Sequence, residues 1–462
     1  MVVFDRHPQV AGLSADSALV ASTKYWVPAI GGVVGRSRMT PNAGGSHAYD
    51  DGTRRTEILQ TAASIIATSG LRTSLQEIAD AAGILPGSLY HHFDSKEAIL
   101  VELLHRYHED LDRIADGAQG RLNDPEFHPA FDQIADLCKA IAHCSVTHRA
   151  ALQMSFYEGP SSNHELTALT ARRPTALVQA MLETLRAARW SGYLRSDVDL
   201  AVLAERIVQT MLQIGLDVIR GNASSDKSAA LLCRILLEGL AAGSPTDEQL
   251  DGSAAFRAAD AVVRSWTDDA DAEADDKAAH VRAIARTEFG KKGYEVTTVR
   301  DIASAAGMGT GTVYRLIGSK DQLLASIMQS FGEKVAMGWS EVLAADSSSV
   351  EKLDALSWIN TNAMDRFADE FRIQLAWMRQ SPPDTPNPGW LFTKRVRQMK
   401  ALLSEGINSG EISIDSPSND LLARSVIGVG WIPESILREI GTRASLLCIR
   451  DTSLRGVVVT RS

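Results

Sequence analysis

No apolar run in this chain reaches the 18 or more residues that a membrane span needs, so no membrane-spanning helix is expected. Leu19 to Val34 is fairly apolar. However, Asp5, Asp16 and Lys24 break up the N-terminal region, and no basic stretch leads into a clean apolar core, so a secretory signal is not supported. Cysteine is scarce, at four (Cys138, Cys144, Cys233, Cys448), and none form a C-x-x-C pair. A chain of 462 residues has no need of disulfide staples, which fits a reducing, cytoplasmic setting with the cysteines as small buried hydrophobes. Aromatics make up only 6%, while alanine, leucine and arginine are plentiful, and a helical protein follows. The chain also lacks an excess of positive charge. Its formal net charge is −10, which weighs against nucleic acid unless local charge differs from the whole.

What is present is an internal repeat. Ser74-Leu-Gln-Glu-Ile-Ala-Asp-Ala-Ala-Gly83 recurs as Thr298-Val-Arg-Asp-Ile-Ala-Ser-Ala-Ala-Gly307. Gly87-Ser88-Leu89-Tyr90 then matches Gly311-Thr312-Val313-Tyr314, and Ser95-Lys96-Glu97 matches Ser319-Lys320-Asp321. Each copy parses as three short helices. The first has Ile58, Leu59, Ala62, Ile65 and Ile66 at helical spacing, or Val281, Ile284, Ala285 and Phe289 in the second copy. The second helix opens on a capping box, Ser74 with Glu77 and Thr298 with Asp301. Gly83 and Gly307 end it and permit a tight turn, so the plan is helix, turn, helix. The loop before the second helix is one residue longer in the second copy.

At these residues the sequence resembles the TetR family of repressors. Ile78-Ala79, Ala82-Gly83, Tyr90-His91-His92-Phe93 and Lys96-Glu97 match the family pattern closely. The second copy departs from it, with Tyr314-Arg315-Leu316-Ile317 where the family has Tyr-x-His-Phe. The resemblance implies an all-α fold of two tandem TetR-like units. Each would be a three-helix helix-turn-helix DNA-binding domain followed by a helical ligand-binding and dimerisation domain. The expected division is a disordered extension over 1–50, a DNA-binding domain over 51–111 and a regulatory domain over 112–245. A linker over 246–274, a second DNA-binding domain over 275–335 and a second regulatory domain over 336–462 complete it. The acidic run from Asp268 to Asp276 reads as a solvated face or linker.

In a helix-turn-helix the third helix enters the major groove, its first residues reaching base edges while neighbours grip phosphates. In the first copy the resemblance assigns phosphate contacts to Thr73, Tyr90 and Lys96. Ser74, Ser88 and His91 can add hydrogen bonds, and Pro86 and Gly87 permit close backbone approach. The second copy offers Thr297, Thr298, Thr310, Gly311, Thr312, Tyr314, Arg315 and Lys320, with Arg315 able to pair with guanine or a phosphate. Local charge separates the copies. Residues 53–96 hold four basic and four acidic side chains, whereas 277–320 hold eight basic and three acidic. The second copy therefore supplies more of any salt-dependent affinity.

The operator is expected to be double-stranded DNA with two unlike half-sites, met by an intramolecular pseudo-dimer, with a homodimer of whole chains left open. Gly83 to Phe93 and Gly192-Tyr-Leu-Arg-Ser-Asp-Val-Asp199 resemble repressors of steroid and fatty-acid catabolism that release DNA on binding a CoA thioester. That likeness implies a small lipid- or steroid-derived effector, and makes Arg172 and Arg173 candidates for CoA phosphates, against the plainer reading as surface arginines. Met154, Tyr157, Trp190, Trp358, Phe371 and Trp377 are further pocket candidates, against the plainer reading as core. No cofactor or metal site is expected: His91-His92 belongs to the repeat, and His164-Glu165 lacks the second histidine of a zinc motif. Gly307-Met-Gly309-Thr-Gly311 follows a helix where a dinucleotide loop would follow a strand. With no G-x-S-x-G either, nothing supports catalysis. The rival class is a ligand-sensing interaction protein in which one unit has lost DNA binding.

Met39-Thr40-Pro41-Asn42 looks like a natural start of translation. The intact mass of native protein is expected to correspond to a chain beginning there.

Overall fold

The computed structural model describes residues 47–70, 73–122, 129–154, 163–221, 224–266, 277–294, 296–380 and 392–459. Among these there is no strand, and none of the helices is long and apolar enough to cross a membrane. Residues 1–46, most of the extension expected to lack structure, lie outside the description; the rest of it, from His47, already belongs to the first helix.

The first half opens with α1 (His47–Ser69), α2 (Leu75–Ala81) and α3 (Pro86–His92) around Ile58, Leu59, Ile66, Ile78, Leu89 and Phe93, all buried. Helix α4 (Lys96–Leu122) buries Ile99, Leu103, Leu104, Tyr107 and Leu111, a three- and four-residue spacing that gives one apolar stripe. It runs unbroken through the boundary expected at 111. Helices α5 (Ala130–Thr147), α6 (Arg149–Met154), α7 (His164–Ala171), α8 (Thr175–Trp190), α9 (Leu200–Gly221) and α10 (Ser225–Glu238) complete this half. Cys138, Cys144 and Cys233 are buried in it, and burial pushes the Cys144 thiol up to about 12.

Within the linker expected over 246–274 the structure places two capped helices. Thr246 caps α11 (Asp247–Asp251) with a full capping box, and Ser253 caps α12 (Ala254–Ser265). Ala255, Ala259, Val262 and Val263 form a buried stripe against the second half. Residues 267–276, which hold the acidic run, lie outside the description. Turn-forming Gly and Pro at 243–252 mask a helix whose apolar spacing begins just beyond them.

The second half repeats the plan with α13 (Lys277–Lys292), α14 (Val299–Ala305), α15 (Thr310–Ile317) and the long α16 (Lys320–Ala344). Helices α17 (Ser349–Arg366), α18 (Ala368–Gln380), α19 (Phe392–Asn408), α20 (Asn419–Val429) and α21 (Glu434–Ile449) follow, and Arg450–Leu454 forms a π-helical turn. Arg450 is fully buried and holds α11 in place. It makes two 2.9 Å hydrogen bonds to Asp354 of α17, one of 2.6 Å to Asp251 and one of 3.2 Å to Asp247. Burial alone would push its pKa down, but Asp354 and Asp251 outweigh that and hold it above the ordinary arginine value.

The two halves pack along α9 and α10 on one side and α20, α21 and the π-helical turn on the other. Arg206 of α9 is fully buried there. It donates to the carbonyls of Val429 (2.7 Å) and Cys448 (3.1 Å), to Ser453 Oγ (2.8 Å) and to Thr452 Oγ1. Burial lowers its pKa from the ordinary arginine value. Beside it the two backbones cross at Gly239 and Gly456. A Cβ on Gly239 would lie 2.4 Å from the Leu454 carbonyl, and one on Gly456 would lie 2.2 Å from the Glu238 carbonyl. Both glycines have positive φ. Two isolated antiparallel bridges, Leu194 with Val458 and Ala241 with Ile412, also join the halves.

Removing the Arg206 guanidinium takes the shared donor from the Val429 carbonyl and Ser453 Oγ, and one donor from the Cys448 carbonyl and Thr452 Oγ1. Arg206→Ala is expected to cost about 3 kcal/mol or more and to split urea unfolding into separate transitions of the two halves. Arg206→Met, close in volume, should recover part of that loss. A second outcome concerns His108 of α4, buried with its ring N–H donating to Leu169 O at 2.9 Å. Burial, against the pull of the Leu169 carbonyl, lowers its pKa below 6.5. The folded state keeps the ring neutral while the unfolded chain takes up a proton, so stability is complete above pH 6.5 and falls as pH drops below it. His108→Gln should flatten that slope in chemical denaturation followed from pH 7.5 to 5.

Candidate nucleic-acid interface

Each repeat builds its second helix on the expected cap. The Ser74 backbone N–H donates to Glu77 Oε2 at 2.6 Å and its hydroxyl at 2.8 Å, while Glu77 N–H donates back to Ser74 Oγ. The bonds from Ser74 hold the Glu77 carboxyl below its ordinary value. Thr298 and Asp301 repeat this at 2.8 and 2.7 Å, so the shorter acid closes an equivalent box. Gly83 (φ 64°) and Gly307 (φ 65°) then turn the chain in the left-handed region. Helix α3 starts at Pro86, whose missing N–H costs nothing at a first turn.

The turn presents one face of α3 and α15 to solvent. Ser88, Gly87 and His91 are exposed, Pro86 is half-buried, and Tyr90 is 52% exposed. In the second copy Thr310, Gly311 and Arg315 are exposed, Thr312 is half-buried, and Tyr314 is 50% exposed. Leu89 and Val313 turn inward, so the helices are anchored through one face and open on the other. Leu85, 75% exposed, stands just before α3.

Other candidates are placed differently. Thr73 and Thr297 are buried, each hydroxyl donating at 2.8 Å to the carbonyl that ends the first helix, Gly70 or Gly293. They brace the turn into the second helix rather than face outward. The hydroxyls of Ser74 and Thr298 are engaged in the capping boxes. Lys96 begins α4 half-buried, and burial, against the pull of Glu97 and Glu77, lowers its ammonium pKa. Lys320 lies 4.2 Å over the Tyr294 ring, and Tyr294 also donates to Asp321. That contact ties the loop after the first helix of the second unit to the start of α16.

Basic side chains also differ between copies. Arg54 pairs with Glu57 at 2.7 Å and donates to Ala82 O, while Arg55 pairs with Glu102 and lies 4.5 Å over the Phe93 ring. Both therefore clamp α1 to its own neighbours. In the second copy Lys291 and Arg300 are exposed, and sequence reading does not single them out because basic residues on a helix surface carry no spacing signal.

The effector candidates are scattered. Met154 is buried in the first core, and Trp190 is 94% exposed on no described cavity. Arg172 pairs with Asp112 at 2.7 Å. Trp358 packs 5.6 Å from Phe256. Tyr157 and the side chain of Trp377 lie outside the described residues. Only Arg173 and Phe371 come together, at a cleft of about 370 Å³.

Two helix-turn-helix units on helical supports define a DNA-binding regulator. The model of the tetR family of bacterial regulatory proteins matches this chain twice, over residues 58–103 and 282–327. The HTH-type transcriptional repressor KstR2 of Rhodococcus jostii is 33% identical over 196 residues, 41% of this chain and 91% of that one. KstR2 of Mycolicibacterium smegmatis is 49% identical over 153 residues, 32% of this chain and 73% of that one. The solved ketosteroid transcriptional regulator KstR2 of Mycobacterium tuberculosis is 26% identical, covering 38% of this chain and 89% of that one, with a TM-score of 0.32. The chain belongs to the tetR family and is a transcriptional regulator with two tandem TetR-type domains.

A Cβ at Gly83 or Gly307 meets nothing within 4 Å, so substitution there tests backbone strain alone. Gly83→Ala and Gly307→Ala should each cost their unit about 1–2 kcal/mol, read as faster amide exchange confined to the altered repeat.

Proposed function

We propose that one chain represses transcription by binding an asymmetric operator through two unlike half-sites, at the nucleoid in the cytoplasm. The reading rests on one observation: the two units share a backbone plan but present different chemistry. The first offers Ser88, Tyr90 and His91 with Arg54 and Arg55 each paired to a carboxylate, and the second offers Thr310, Tyr314 and Arg315 beside exposed Lys291 and Arg300. Members of such families reach palindromes by pairing identical subunits, and a covalent pair of unlike units removes that symmetry. Tyr90, Ser88 and Lys96 with their second-copy counterparts Tyr314, Thr312 and Lys320 carry the contacts. Repression is released by a small hydrophobic or acyl-CoA-type effector, as the likeness to repressors of steroid breakdown supports.

A second reading has one unit without DNA contact. The internal engagement of Arg54 and Arg55 favours the first unit for that role.

Footprinting should reveal a non-palindromic site occupied by a single chain; a perfect palindrome holding two chains would refute the proposal. In gel shifts across a salt series, Lys320→Ala should weaken binding and reduce the slope of log K against log salt by about 1. Tyr90→Ala with Lys96→Ala should abolish protection of one half-site alone. Unchanged protection in that double variant supports the second reading.

A further inference from the structure

Leu85 serves neither the helix it precedes nor the core behind it. It is 75% exposed and occupies the position that caps α3, with φ −72° and ψ 145°. Its carbonyl accepts from the N–H groups of Ser88 at 2.9 Å and Leu89 at 3.2 Å, but its side chain gives the helix no hydrogen bond. Leucine is among the poorest residues for such a position, where Ser, Thr, Asp or Asn would satisfy a free backbone donor. The core is filled by its neighbours: Leu89 is fully buried, and Ile84 packs against the same cluster. A residue that breaks a local rule without a structural return marks a functional position.

The second repeat supplies a matched comparison. Gly309 stands at the corresponding place before α15, with φ −72° and ψ 141°. Its carbonyl accepts from Thr312 at 2.9 Å and Val313 at 3.2 Å, so the backbone does the same in both units. Glycine is a tolerated cap, and a Cβ on Gly309 would meet nothing within 4 Å. The second unit thus has room for a side chain at this point and carries none. Three-residue steps place Leu85 beside Ser88 and then His91, both exposed, on one side of α3. The same steps from Gly309 lead to Thr312 and Arg315. At one point of the outward face, the two units therefore differ by a whole apolar side chain.

We infer that Leu85 reads the C5 methyl group of a thymine in the half-site met by the first unit, and that the second unit, with Gly309, makes no such contact. A helix-turn-helix sets the first residues of its second helix against base edges in the major groove. Of the four bases, thymine alone shows a methyl group there. A leucine side chain forms no hydrogen bond, so the amino and carbonyl edges of other bases lose hydration against it and gain nothing. Against a methyl group it gains apolar burial, and one buried methyl corresponds to about fourfold in affinity. Such a contact needs no charge, which suits the unit whose Arg54 and Arg55 are paired with carboxylates. The inference rests on the reading of two unlike half-sites above, and names one chemical feature that makes them unlike.

The test uses the full chain and a pool of random-sequence DNA duplexes, from which bound molecules are selected and sequenced. Each thymine of the enriched site is then replaced singly by deoxyuridine, which removes the methyl group alone, and affinity is read by fluorescence anisotropy. For one thymine, in the half-site whose protection Tyr90→Ala removes, wild-type protein should bind the uracil duplex about fourfold more weakly than its parent. In Leu85→Gly the ratio of those two affinities should fall to about one. Both affinities are measured on the same protein, so a general loss of folded material leaves the ratio unchanged. Selection with Gly309→Leu should enrich a thymine in the other half-site that wild type does not demand. A wild-type ratio of about one at every thymine, an undiminished uracil penalty in Leu85→Gly, or a Gly309→Leu selection identical to that of wild type overturns the inference. Enrichment of no sequence would sink the regulator reading and this one with it, whereas an enriched site without methyl dependence sinks this one alone.

Discussion

The buried guanidinium of Arg206 is the constraint on which the assembly of this chain depends. A charge taken out of water needs acceptors, and every acceptor it finds belongs to the other half: two carbonyls and two hydroxyls on α20, α21 and the turn that follows. Apolar faces alone could slide past one another. A fork of donors matched to fixed carbonyls cannot, and the glycine crossing at Gly239 and Gly456 needs that same register. The two DNA-binding units are therefore carried on one body rather than tethered by a flexible link.

The same economy of charge appears elsewhere. Arg450 collects Asp247, Asp251 and Asp354, which folds the segment after the first half into the second. Arg54 and Arg55 hold α1 against its neighbours, so a local count of basic residues overstates what the first unit can offer a phosphate. The second unit keeps exposed cations, and the difference between the repeats is thus larger in space than in composition. Arg372 shows the same pattern, shared between the carboxylates of Asp369 and Glu434.

Much of the recognition unit was legible in the residues because its determinants are local. A capping box needs only Ser74 and Glu77 three positions apart, and a left-handed turn needs only a glycine at 83. Apolar spacing in α1 and α4 marks a buried stripe without reference to any partner. These features recur in the second copy, and their agreement fixed the helix-turn-helix plan, the all-helical class and the outward face of α3 and α15.

What the residues could not give is whatever depends on a distant neighbour. Thr73 and Thr297 look like surface hydroxyls in sequence, yet their tie to Gly70 and Gly293 buries them. Helix α12 was hidden behind a Gly- and Pro-containing stretch, and it is stable because the second half covers its stripe. Arg206, Arg450 and the cleft around Phe371 and Trp431 join positions more than 50 residues apart, often more than 200, and no spacing rule links them. Local pattern sets which segments are helices; long-range burial of charge decides which of them meet.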